Sequence, residues 1–113
     1  MSAPPLLARR SPRAKSAVMS VHTGFSRSYA EARQKFLAAA RAAGATLADF
    51  PHPTMRGSAG EELAIDVAWA GDAEARRVLL VSSGVHGVEG YCGSGAQVAL
   101  LADADLLAAC ACA

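Results

Sequence analysis

The chain has 113 residues, enough for one small domain with a modest core. Alanine supplies 27 of them, so the 52% hydrophobic fraction overstates the area available for burial. The formal net charge of +1 divides into a basic, acid-free opening and a mildly acidic remainder, which argues against nucleic-acid binding, and no apolar run is long enough to span a membrane.

Residues 1–24 read as a disordered leader. Pro4, Pro5 and Pro12 break helix, and Arg9, Arg10, Arg13 and Lys15 give an acid-free, Arg-rich composition like that of an organelle transit peptide. The alternative is a start assigned too far upstream, with Met19 as the true first residue. Residues 25–113 are then the folded part. The spacing predicts a helix over 28–43. Ser28 and Glu31 form an S-x-x-E capping box, and Tyr29, Ala32, Phe36, Leu37 and Ala40 recur on one face. Gly44 stands where a C-terminal cap is expected.

A weak strand is expected over 46–50, closed by Pro51 and Pro53. Gly57, Ser58 and Gly60 mark a loop. Residues 62–69 alternate, with Leu63, Ile65, Val67 and Trp69 on one face and Ala64, Asp66 and Ala68 on the other. The two strands suit an antiparallel ribbon. Residues 77–83 lack alternation, which predicts an interior strand covered on both faces. A glycine-rich loop, Gly84 to Gly95, leads to a second helix over about 94–109, with Ser94 and Gln97 as another capping box. This order implies an α/β fold with a mixed sheet and flanking helices. Ligand sites in such folds favour loops past the ends of buried strands, and the glycine-rich loop is one. Cys92, Cys110 and Cys112 are odd in number and irregularly spaced, which suits a reducing, cytoplasmic setting rather than a disulfide framework.

The loop carries His86 and Glu89, an H-x-x-E pair. Imidazole nitrogen and carboxylate oxygen are both ordinary zinc ligands, and a spacing of three puts them on one side of a tight turn. Gly84, Gly87 and Gly90 give the backbone freedom to aim both groups at one point. An H-x-x-E is expected by accident in roughly one chain in eight of this composition, so its setting matters more than the bare pattern. The competing reading is a loop in which the two side chains only hydrogen-bond each other or the backbone. The glycines do not follow a dinucleotide or P-loop pattern, and Ser94 lacks the frame of a hydrolase elbow.

The run from Val81 to Gly90 (Val-Ser-Ser-Gly-Val-His-Gly-Val-Glu-Gly) resembles the first zinc motif of the metallocarboxypeptidase superfamily, which includes carboxypeptidases and aspartoacylase-like deacylases. The similarity is closer to a bacterial group of carboxypeptidase-like proteins. Phe25 to Arg33, His52-Pro53, Gly60-Glu61, Asp66-Val67-Ala68 and Gly93 to Gln97 resemble that group in register. The resemblance implies an incomplete carboxypeptidase-like mixed sheet, a zinc cofactor held by His86 and Glu89, and hydrolysis of a peptide or an N-acyl amino acid. In such families a downstream His completes the site, a downstream Glu is the general base and Arg residues hold the substrate carboxylate.

After Glu89 the sequence contains no His, Glu, Arg or Lys. A catalytic zinc needs three protein ligands plus water. The expectation is therefore a truncated, inactive portion of a zinc hydrolase with half its metal site. Cys92, His52, Glu61 and Asp66 are the local candidates for a substitute ligand. The alternative function is a non-catalytic module that self-associates through an exposed sheet edge.

Overall fold

A computed structural model describes residues 21–111. The expected leader falls outside them except for its last residues, where a short helix, α1, spans Val21–Gly24. Helix α2 spans Tyr29–Ala42, close to expectation. The Ser28 hydroxyl accepts from the Glu31 amide at 3.2 Å. The Glu31 carboxylate accepts from the Arg27 amide at 2.9 Å, one residue further back than a strict capping box places it. At the other end Gly44 takes φ 71°, and the Ala45 and Gly44 amides donate to the Ala40 and Arg41 carbonyls at 3.0 Å each. That is a Schellman cap, and it needs the left-handed conformation that glycine adopts without strain.

Strand β1, Thr46–Arg56, pairs antiparallel with β2, Glu62–Trp69, as the alternation suggested. The strand does not stop at Pro51. It continues through both prolines, with an irregularity in register between Pro51 and Arg56. Pro51 stands opposite Ala64, whose amide and carbonyl both bond Tyr29 and not β1, so no ladder amide is missed there, and Pro53 lies within the irregularity. His52 organises the bulge: its Nδ1 accepts from the Thr54 and Met55 amides at 3.3 and 3.0 Å. The hairpin closes through Gly57 to Glu61, with the Gly57 amide donating to the Glu61 carbonyl at 2.8 Å.

The ribbon packs on α2 with its small-residue face. Ala64, Asp66 and Ala68 are partly covered, while Ile65, Val67 and Trp69 face outward. A hydroxyl and a guanidinium attach the two elements. Tyr29 Oη donates to the Ala64 carbonyl at 3.0 Å and accepts from the Ala64 amide at 2.8 Å. Arg33 holds Asp66 with two donors, Nε at 2.8 Å and Nη2 at 3.0 Å, and also reaches Glu62 at 3.2 Å.

Residues 77–83 correct the sequence reading. They form no strand and Val78, Leu79, Leu80 and Val81 are exposed. A continuous apolar run becomes an interior strand only where neighbouring strands flank it, and the sole sheet among the described residues is the β1–β2 pair. The second helix also differs. It starts earlier, as α3 over Gly90–Ala102, and breaks at Asp103 before α4, Ala104–Ala111. Asp103 Oδ1 accepts from the Leu106 amide at 3.0 Å and so caps α4. Ser94 lies inside α3 and caps nothing.

The core lies where α2 meets α3. The buried apolar residues there are Ala32, Ala40, Val98 and Leu101. The helices and sheet make this a small α/β fold. No helix among the described residues is long and apolar enough to cross a membrane.

Candidate metal centre

His86 and Glu89 sit between the extended apolar stretch and α3. Gly84, at φ 73°, turns the chain out of that stretch. The chain then enters α3 through short turns: the Gly90, Tyr91 and Cys92 amides donate to the Gly87, Val88 and Glu89 carbonyls at 3.0, 3.2 and 3.1 Å. Glu89 is the residue before the helix, at φ −60° and ψ −21°, and its side chain makes no cap hydrogen bond. Its carboxylate instead folds toward Gly87, where an added Cβ would lie 3.3 Å from Oε2.

The loop is held against α3 by close backbone approach. A Cβ on Gly90 would lie 2.8 Å from the Gly84 Cα, and one on Gly93 would lie 2.7 Å from the Ser83 Cβ. Both positions therefore require glycine for packing. Gln97 completes the attachment. Its Oε1 accepts from Ser83 Oγ and its Nε2 donates to the Val81 carbonyl, each at 2.8 Å. Sequence reasoning assigned Gln97 to a helix cap and missed this tether. The signal available was the Gly90–Gly93 spacing of three, which aligns both glycines on one helix face.

Both candidate ligands are exposed. Among the described residues neither side chain hydrogen-bonds the other or the backbone, so they do not hold the loop together. Among the described residues no three of His, Cys, Asp or Glu come together as a metal site would require. The local substitutes are largely committed elsewhere. His52 Nδ1 serves the bulge. The Glu61 carboxylate accepts from the Ala59 amide at 2.9 Å. Asp66 belongs to Arg33. Cys92 is exposed one helical turn beyond Glu89.

Two concave surfaces lie away from this loop. A cleft of about 330 Å³ between α2 and the hairpin is lined by Tyr29, Arg33, Leu37, Arg41 and Glu62. A groove of about 710 Å³ between α2, α3 and α4 is lined by alanines with Val98, Leu101 and Leu107. Neither is bordered by His86 or Glu89. The donors are of the right kind for zinc, but the set is one short of a catalytic site.

No curated protein and no solved structure matches this chain. Residues 25–112 match the family described as "Protein of unknown function (DUF2817)", from the Phe25 that packs on α3 to the end of α4, and the chain belongs to that family.

Proposed function

We propose that the 84–90 loop is the two-ligand portion of a zinc site in a carboxypeptidase-like hydrolase acting on peptide or N-acyl amide bonds. The observation that carries the reading is the state of the two side chains. An imidazole and a carboxylate stand three residues apart on one turn, exposed and without protein partners. Carboxylates and imidazoles free of internal partners at a rigidly anchored turn suit ligation better than structure. The resemblance of residues 81–90 to a first zinc motif, and the membership of residues 25–112 in one family, support the same reading.

Bound zinc supplies Lewis-acid polarisation and a water of lowered pKa. The part of these residues is narrower. His86 and Glu89 would hold the ion, the Gly84 turn presents them, and Gln97 with the Gly90 and Gly93 contacts fixes that turn on α3. Among the described residues no general base stands beside them, so the chain is proposed as inactive alone. The exposed thiols of Cys92 and Cys110 fit a cytoplasmic, reducing setting.

Isothermal titration with zinc tests the site. One weakly bound ion per chain is expected, and His86→Ala should cut affinity by at least about tenfold, a loss that even outer-shell changes produce. No binding to the wild-type chain, or binding indifferent to His86→Ala, would overturn the site. The chain is expected to hydrolyse neither C-terminal peptide bonds nor N-acyl amino acids. Zinc-dependent turnover abolished by His86→Ala would show that the site is complete.

A further inference from the structure

The groove of about 710 Å³ between α2, α3 and α4 is walled on one side by alanine. Ala38 and Ala42 of α2 are exposed there, with Val98 and Leu107 across from them. Side chains this small let another helix approach to about 8 Å, the short end of helix packing. The chain itself leads into this groove. A Cβ on Gly24, the last residue of α1, would lie 3.0 Å from the Gly95 carbonyl of α3. Thr23, one residue earlier, already lines the groove beside Val98 and Leu101. Followed backwards, the chain therefore heads from Gly95 toward the far end of α3 and the start of α4.

We propose that residues 13–20, which lie outside the described residues, fill this groove as an upstream continuation of α1, antiparallel to α3. Their sequence, Arg-Ala-Lys-Ser-Ala-Val-Met-Ser, has no proline or glycine, and Ala14, Ala17 and Val18 fall at the spacing of one helix face. That face is as small as the wall it meets. The charges match too. Residues 1–20 carry Arg9, Arg10, Arg13 and Lys15 and no acid, while Asp103 and Asp105 flank Ala104 at the α4 end of the groove. Lys35 also lines the groove, and Glu31 matches its charge at 2.8 Å. The lengths agree: Ala17 stands as far before Gly24 as Ala102 stands beyond Gly95, about 10 Å of helix in each case. Arg13 and Lys15 then fall beside Asp103 and Asp105. A tethered segment also meets the groove at an effective concentration on the order of millimolar, an advantage no separate copy has. The inference is independent of the zinc site, since neither His86 nor Glu89 borders the groove.

Cross-linking within the full chain tests it. In a chain with Cys92, Cys110 and Cys112 changed to Ser, Ala17→Cys and Ala102→Cys are treated with bismaleimidoethane. The expected product is a cross-link within one chain, located by mass spectrometry. Its yield should exceed by at least about fivefold that of Ala17→Cys paired with Ile65→Cys on the outer face of the ribbon, where only the tether acts. Ala102 and Ile65 are both exposed, so neither change disturbs the fold, which circular dichroism checks. Arg13→Glu with Lys15→Glu should lower the Ala17–Ala102 yield by about threefold, as the loss of two exposed ion pairs predicts. Equal yields at Ala102 and Ile65 would overturn the proposal. So would cross-links formed only between chains, which would put a second copy in the groove. A yield indifferent to the charge reversal would overturn the placement of Arg13 and Lys15 beside α4.

Discussion

Arg33 and Tyr29 join helix α2 to the ribbon through directed polar contacts. The Asp66 side chain is only 8% exposed and its charge is matched by the two-pronged Arg33 contact. That neighbouring carboxylate raises the guanidinium's pKa, so Arg33 stays charged at every accessible pH. Arg33→Ala leaves the carboxylate covered and unmatched. A loss of about 3 kcal/mol is expected by chemical denaturation, the usual consequence of breaking such a pair from one side. Tyr29→Phe removes one oxygen that serves both polar groups of Ala64, and about 1 to 2 kcal/mol should go with it. These roles were only half legible in sequence. Tyr29 was placed on the apolar face of its helix, which is right for its ring. The partners of its hydroxyl lie 35 residues away and have no local signature.

Helix ends were the most legible elements, because capping is a matter of three or four neighbouring residues. Ser28, Glu31 and Gly44 are where local chemistry puts them. Ser94 and Gln97 have the same spacing, yet α3 begins earlier and Gln97 is recruited by Ser83 and Val81. A tertiary contact overrode a local pattern there. Helix α2 also makes a pH prediction. The Arg27 amide, and then Lys35, lower the Glu31 pKa. A lowered carboxylate adds stability above its unfolded pKa, and the gain disappears as pH falls through the folded value. Glu31→Gln should therefore melt at a lower temperature than wild type near neutral pH, with the gap closing in acid. A gap that persists in acid would assign the effect to something other than the charge.

The strand over 77–83 was the element that failed at the scale of the molecule. Its apolar run is genuine, but a strand is a relation between segments, and no partner strand stands beside it among the described residues. The same holds for the candidate site: the H-x-x-E pair and its turn could be read locally, whereas a third donor is a matter of what the fold brings near. The short motifs that spread the resemblance along the chain turn out to be contacts. Phe25 would touch a Cβ on Gly95 at 2.9 Å, Arg33 holds Asp66, and Glu61 folds over Gly57. The core they enclose is thin, with alanine as two of its four buried apolar residues, so local opening should be easy in the unpaired stretch. Within the folded part, trypsin is expected to cut after Arg76 or Arg77 ahead of Arg33 and Arg41 in α2, as mass spectrometry of early fragments would show. First cleavage within α2 would contradict the described order of the chain.

Gln97 has a further bearing on how experiments on this molecule separate. Its two hydrogen bonds and the two glycine contacts all refer the 81–84 stretch to one helix, α3. The coordinates of His86 and Glu89 are thus set in the frame of that helix, while the hairpin is set in the frame of α2. Loosening the hairpin through Tyr29 or Arg33 shifts the melting curve without re-aiming the imidazole or the carboxylate, and a change at Gln97 does the reverse.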